Sequence, residues 1–264
     1  MPDNKNITLL EAREIEKVYG TVIKTIALKK LNLSLKEGEF ITLIGPSGCG
    51  KTTLANILGA LDQPTAGEVL FQGQSLGKMN QNRLSEFRNQ NIGFIFQFHF
   101  LLKEFTALEN VLMPTWIKQQ FTSAKKVKKA KELLELVGLK ERINNKGNNL
   151  SGGQQQRVAI ARSLINEPSL ILADEPTGNL DSSNTDQVFG LLRRVNQDMG
   201  TTFLIITHER HIAAKSNRVV EMLDGQVIKD FYNNKADEEE NWLSIAPEYC
   251  KLCQRDSAKM VNLR

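Results

Sequence analysis

The stretch Gly45-Pro-Ser-Gly-Cys-Gly-Lys-Thr52 constrains this chain more than any other. It fits the pattern G-x-x-x-x-G-K-[ST]. An apolar run, Phe40–Ile44, precedes it and reads as a buried strand; residues 53–60 follow it and read as a helix. Strand, Gly-rich turn and helix in that order surround one small volume with backbone N–H groups and a helix N-terminus. Glycines let those N–H groups turn inward, and the helix end adds partial positive charge, so the turn suits phosphate. The cradle is Gly45, Pro46, Ser47, Gly48, Cys49, Gly50 and Thr53. Lys51 is expected to bridge β- and γ-phosphates and the Thr52 hydroxyl to ligate Mg²⁺.

The rest of the chain has an α/β rhythm. Residues 170–173 and 203–206 are short runs that are apolar on both faces, the mark of parallel strands covered by helices. Residues 188–195 read as a helix between them. Upstream, residues 7–18 read as strand, and Leu31, Leu33 and Leu35 alternate with polar neighbours. Residues 69–71 and 92–96 are further strands. Between about residues 98 and 165 the character changes. Val127, Ala130, Leu133, Leu134 and Val137 recur at helical spacing, Gly138 is a helix stop, 144–149 is a polar loop and 158–165 is helical again. This stretch reads as a helical subdomain inserted between strands. Residues 219–228 read as a hairpin turning at Asp224-Gly225.

Composition narrows the class. With 264 residues, 41% hydrophobic and 24% charged, the chain can bury a full core and is not disordered. Apolar runs stop at about four residues, against roughly 20 for a membrane span. Met1-Pro-Asp-Asn-Lys5 lacks the apolar core of a signal peptide. Three cysteines are too few for a secreted scaffold, so a reducing cytoplasm is expected. A net charge of +4 does not argue for nucleic acid, and no nucleic-acid partner is expected.

Leu170-Ile-Leu-Ala-Asp-Glu175 is an apolar strand ending in two carboxylates. Its acids belong at the sheet edge where ligands bind. Asp174 suits the Mg²⁺ sphere, and Glu175 suits a general base acting on the attacking water.

Between these motifs lies Leu150-Ser-Gly-Gly-Gln-Gln-Gln-Arg157, which resembles the signature of ATP-binding cassette (ABC) proteins. Over about residues 7–230 the chain is similar to an ABC-transporter nucleotide-binding subunit. The resemblance implies an α/β P-loop NTPase cassette: a RecA-like parallel-sheet core, an N-terminal antiparallel β region and an inserted helical subdomain. It implies a domain over 7–232, a polar tail over 233–264, and ATP with Mg²⁺ as ligands. Ser151, Gly152 and Gly153 would grip the nucleotide of a second copy of the chain. Tyr19 resembles the aromatic residue that stacks on adenine. Gln97 resembles the glutamine that reaches Mg²⁺ and water, Asp181 the aspartate that crosses to the other subunit, and His208 the histidine at the γ-phosphate. His99 and His211 have no such placement and read as packing or surface residues.

Two segments, 56–67 and 173–181, are similar to the branch that holds macrolide-exporter (MacB) and lipoprotein-release (LolD) ATPases. That branch implies an ATPase on the inner face of the cell membrane, moving a separate permease by mechanotransmission for export or lipoprotein release. The neighbouring alternative is an FtsE-like ATPase that signals to cell-wall hydrolases without transport. Lys103 stands where a proline commonly follows the paired leucines, and Gly147-Asn148 replaces a proline-containing approach to the signature. The apolar stretch 97–102, with Phe105, is expected to border the groove that receives the permease. Cys250 and Cys253 form half of a zinc pattern and read as incidental thiols; Cys49 is either reactive or packed. The lysines at 125, 126, 128, 129 and 131 read as the wet face of a helix.

Overall fold

The computed structural model describes residues 7–117, 123–180, 182–209, 212–213 and 215–233. Two sheets share one core. The first is antiparallel, in the order β2-β1-β4-β5, from β1 (Thr8–Tyr19), β2 (Thr25–Lys36), β4 (Ala66–Phe71) and β5 (Gln74–Ser75). The second has six strands in the order β10-β9-β3-β8-β7-β6. It comprises β3 (Phe40–Ile44), β6 (Ile92–Phe96), β7 (Leu170–Asp174), β8 (Thr202–Ile206), β9 (Arg218–Leu223) and β10 (Gln226–Tyr232). Its neighbours are parallel except β10, which returns antiparallel on β9. Asp224 and Gly225 both have positive φ, 46 and 80, as a two-residue turn matched to strand twist requires.

Alternation inside the apolar runs decides which side each residue serves. Leu170, Leu172, Leu204 and Ile206 pack with Ile41 and Leu43 against β1, β2, β4 and helix α1 (Lys51–Leu58). Ile171, Ala173, Phe203 and Ile205 face the opposite way. They meet α3 (Ala107–Leu112), α4 (Ala124–Leu136), α5 (Gly152–Leu164) and α6 (Ser182–Met199). Residue 40 joins this second side through Phe189 and Phe203, at ring distances of 5.3 and 5.5 Å.

The helices begin earlier than periodicity alone suggests. α1 starts at Lys51 rather than 53, and α5 at Gly152 rather than 158, because the polar motif residues themselves form the first turns. α2 (Gln81–Asn91) has no counterpart in the sequence reading. It buries only Leu84 fully, so it carries no apolar stripe; its start is marked by Asn80, whose side chain accepts from Arg83 N at 2.9 Å. The loop 144–149 contains a short 3-10 turn, Gly147–Asn149. On α4, Lys125, Lys128 and Lys131 are exposed, as a wet helix face requires, while Lys129 pairs with Glu167 at 2.8 Å and Lys126 donates to Ile165 O at 3.2 Å.

Candidate functional site

Parallel register brings four strand ends to one edge. Leu43 pairs with Ile206, Ile206 with Asp174, and Asp174 with Phe96. The residues just beyond these ends are the phosphate loop, His208, Glu175 and Gln97.

Backbone crowding shapes the loop. Gly45 has φ 156 and Gly50 φ 103. A Cβ at Gly45 would stand 2.3 Å from Met222 O, and one at Gly50 2.6 Å from Ala27 O, so neither position accepts a side chain. α1 follows Gly50 with no side-chain cap and no acidic residue in its first turn, which leaves its first N–H groups for an anion. The Lys51 ammonium donates to Gly45 O at 2.8 Å and Pro46 O at 2.9 Å. Cys49 is a packing residue: its thiol is buried and its carbonyl accepts from Gly225 N at 3.0 Å, which ties the loop to the β9–β10 hairpin.

Asp174 and Glu175 differ in environment. Burial pushes the Asp174 carboxyl above the usual carboxylate range and Glu175 adds to the rise, while a hydrogen bond from Thr52 and the charge of Lys51 oppose it. Glu175 adopts a left-handed conformation, φ 48, uncommon outside glycine and concentrated at functional sites. Its N–H donates to Ile206 O at 2.9 Å. Its Oε1 lies 2.9 Å from His208 Nδ1, and its Oε2 is buried without a hydrogen-bonding partner among the described residues. Gln97 is joined to the loop after Glu175: its carbonyl accepts from Asn179 Nδ2 at 3.0 Å, and its Nε2 donates to Asn179 Oδ1 at 3.4 Å.

Tyr19 exposes its ring and donates its hydroxyl to Asp62 Oδ2 at 2.9 Å. Lys17 donates to Asp62 Oδ1 at 2.6 Å and sits 4.9 Å from the Tyr19 ring centroid. The ring is thus fixed at its rim and covered by a cation on one face. Sequence reading found Tyr19 but not Lys17, two residues before it, nor the contact with Asp62, which is 43 positions away.

Ser151 stands apart from this edge as the N-cap of α5. It makes a capping box with Gln154: Ser151 N donates to Gln154 Oε1 at 3.0 Å, and Gln154 N to Ser151 Oγ at 3.4 Å. Among the described residues no hydrogen bond joins Ser151, Gly152 or Gly153 to residues 45–52. Asp181, His211, Cys250 and Cys253 lie outside the described residues. The two departures from the family pattern touch each other, since Asn148 N donates to Lys103 O at 3.2 Å.

Comparisons with known proteins place the chain in a family. Residues 28–178 match the family described as ABC transporter. The chain belongs to the ABC transporter family. It is 46% identical over 221 residues to a lipoprotein-releasing system ATP-binding protein LolD of Rhodopseudomonas palustris, covering 83% of this chain and 98% of that one. An uncharacterized ABC transporter ATP-binding protein of Methanocaldococcus jannaschii is 47% identical over 222 residues, covering 84% of this chain and 98% of that one. A solved ATP-binding cassette, in a dimeric post-hydrolysis state with ADP and Pi, has a TM-score of 0.78 and 40% identity. That match covers 85% of this chain and 98% of the cassette. The chain is therefore an ABC ATPase of the LolD/MacB type, the subunit that binds and hydrolyses ATP to drive a membrane permease. Among the described residues no helix is long and apolar enough to cross a membrane.

Proposed function

We propose that two copies of this chain pair head to tail, each closing its Ser151 end over the nucleotide held by the other's phosphate loop. The observation that carries this reading is the separation of two anion-binding features. The 45–52 loop sits at the sheet edge with Asp174, Glu175 and His208, whereas Ser151 caps a different helix with exposed Gly152 beside it. A dimer of cassettes among the similar structures supports it.

In this reading Lys51 and the α1 N-terminus bind the phosphates, and Tyr19 stacks on adenine. Gly45, Pro46, Ser47, Gly48, Cys49, Gly50 and Thr53 line the cradle. The Thr52 hydroxyl and Asp174 carboxylate, drawn together by their hydrogen bond, with the amide oxygen of Gln97 form a hard-oxygen set that fits Mg²⁺. Mg²⁺, when bound there, offsets negative charge on the phosphate oxygens. Glu175 takes the proton of the attacking water through its unpaired carboxylate oxygen, and His208, held by the other oxygen, faces the γ-phosphate. Asp181 reaches toward the opposite subunit.

The membrane subunit is a separate permease, and the chain works from the cytoplasmic face. A relative named for lipoprotein release favours that task or export over signalling without transport. Phe98, Phe100 and Leu102 are exposed, and the Phe100 ring packs 5.5 Å from that of Phe96, which lines a cleft of about 530 Å³ with Leu61, Phe94, Met113, Ile117 and Arg162. This surface suits a short amphipathic helix of the permease.

Glu175→Gln tests the reading. It is expected to retain ATP binding, accumulate as an ATP-dependent dimer in sedimentation, and lose about 10²–10⁴-fold in turnover. A variant that turns ATP over at the native rate removes Glu175 from its role.

A further inference from the structure

The end of β1 is stitched to the segment that follows α1. Val18 N donates to Thr65 Oγ1 at 3.0 Å, and Thr65 N donates to Glu16 O at 2.8 Å. The same segment carries Asp62, whose carboxylate oxygens are both taken. Oδ1 accepts from Lys17 Nζ at 2.6 Å and from Gln63 N at 2.7 Å, and Oδ2 accepts from the Tyr19 hydroxyl at 2.9 Å. Lys17 donates as well to Gln63 O at 2.7 Å. Burial works against a charge on Asp62, yet the hydrogen bonds from Lys17, Tyr19 and Gln63 hold its carboxyl below the usual range.

The Tyr19 ring inherits this order. The Lys17 ammonium, on a side chain only 12% exposed, lies over one face at 4.9 Å from the centroid. The hydroxyl is pinned, so the ring cannot swing without breaking a hydrogen bond made to charge. The other face is left for a planar partner, and a ring already ordered loses less freedom when that partner stacks on it. Asp62 is itself anchored on the phosphate helix. Its N–H and that of Leu61 both donate to Asn56 O, in the last turn of α1, at 3.1 and 2.8 Å. Lys51 opens the same helix. One helix therefore carries the phosphate loop at its start and, through Asp62, the aromatic ring at its end.

We infer that Lys17 and Asp62 are positioning residues for the nucleotide base, holding Tyr19 in its stacking orientation at a fixed reach from the phosphate loop. This deepens the reading that Tyr19 stacks on adenine, and rests on it. The pair acts on the base and not on the phosphates.

The test titrates the full chain by calorimetry with ADP and, separately, with inorganic pyrophosphate, each with Mg²⁺ at one ionic strength. Pyrophosphate carries the phosphates without the base. Asp62→Ala is expected to weaken ADP about tenfold and Lys17→Met about fivefold, with pyrophosphate within about twofold of native in both. Lys17→Arg, which keeps a cation able to lie over the ring, is expected to recover most of the loss. Tyr19→Phe removes only the hydroxyl and is expected to weaken ADP about threefold; combined with Asp62→Ala it should cost no more than Asp62→Ala alone. Native ADP affinity in Asp62→Ala and Lys17→Met, or equal losses for ADP and pyrophosphate, would overturn the role. If Asp62→Ala fails to fold, Lys17→Met and Tyr19→Phe decide alone. Tyr19→Ala separates the two ideas, since loss of a base stack should weaken ADP roughly 5- to 150-fold. Native ADP affinity in Tyr19→Ala sinks the stacking reading. A loss there, with native affinity in Asp62→Ala and Lys17→Met, sinks only the positioning role.

Discussion

His208 Nδ1 lies 2.9 Å from Glu175 Oε1, at the ends of two adjacent parallel strands. The contact divides the carboxylate. One oxygen orients the imidazole, and the other is left to accept a proton. His208 is 67% exposed and Glu175 19%, so the histidine is the member free to meet an incoming phosphate.

His208→Ala is therefore expected to lower kcat by about 10- to 100-fold, through loss of a hydrogen bond made to charge. ATP affinity should change little, because Lys51 and the α1 N-terminus supply most of the binding. Steady-state kinetics and equilibrium ATP binding on one preparation check this. A large loss of affinity with kcat retained would place His208 in binding instead.

Asp174 makes a prediction about stability. Its folded pKa is raised above the unfolded value by burial. The folded state then binds a proton more readily than the unfolded chain, so this group's contribution falls as pH rises from the unfolded value through the folded one. At neutral pH the ionised carboxylate is a net cost to the nucleotide-free protein. Asp174→Asn should raise the Tm at pH 7, lose that advantage at pH values below the unfolded pKa, and abolish Mg²⁺-dependent turnover. A lower Tm at pH 7 would show that Thr52 and Lys51 outweigh burial.

Much of this site is legible in the sequence because its chemistry is packed into short motifs at strand ends. Gly45–Thr52 and Leu170–Glu175 each carry a buried strand and its functional tip in one word, and parallel register does the rest. What escapes is long-range. Asp62 reaches Tyr19 across 43 positions, and Gln156 reaches Pro176 across 20. Nothing in a single sequence distinguishes Gln156 from Gln154 and Gln155; only the helix face does. α2 is silent for a different reason, since a helix with one fully buried residue leaves no periodic trace.

The surface around residues 97–102 yields a third expectation. Leu101 packs against the core, so its replacement by Asp would perturb folding. Leu102 is 45% exposed, and its backbone is held on both sides by Asn110, with N–H to Oδ1 at 2.9 Å and O to Nδ2 at 3.1 Å. Leu102→Asp should fold, bind ATP with native affinity and fail to co-purify with the permease. Normal assembly of that variant would place the docking groove elsewhere.

The central claim, that each ATP site is built from two chains, is tested most directly by mixing Lys51→Ala with Ser151→Arg protein. Each variant alone has a lesion in both sites. A mixed dimer concentrates both lesions in one site and leaves the other intact. ATP hydrolysis is expected from the mixture and from neither variant alone. A mixture as inactive as its components, or a Ser151→Arg protein that hydrolyses ATP normally by itself, would contradict the account.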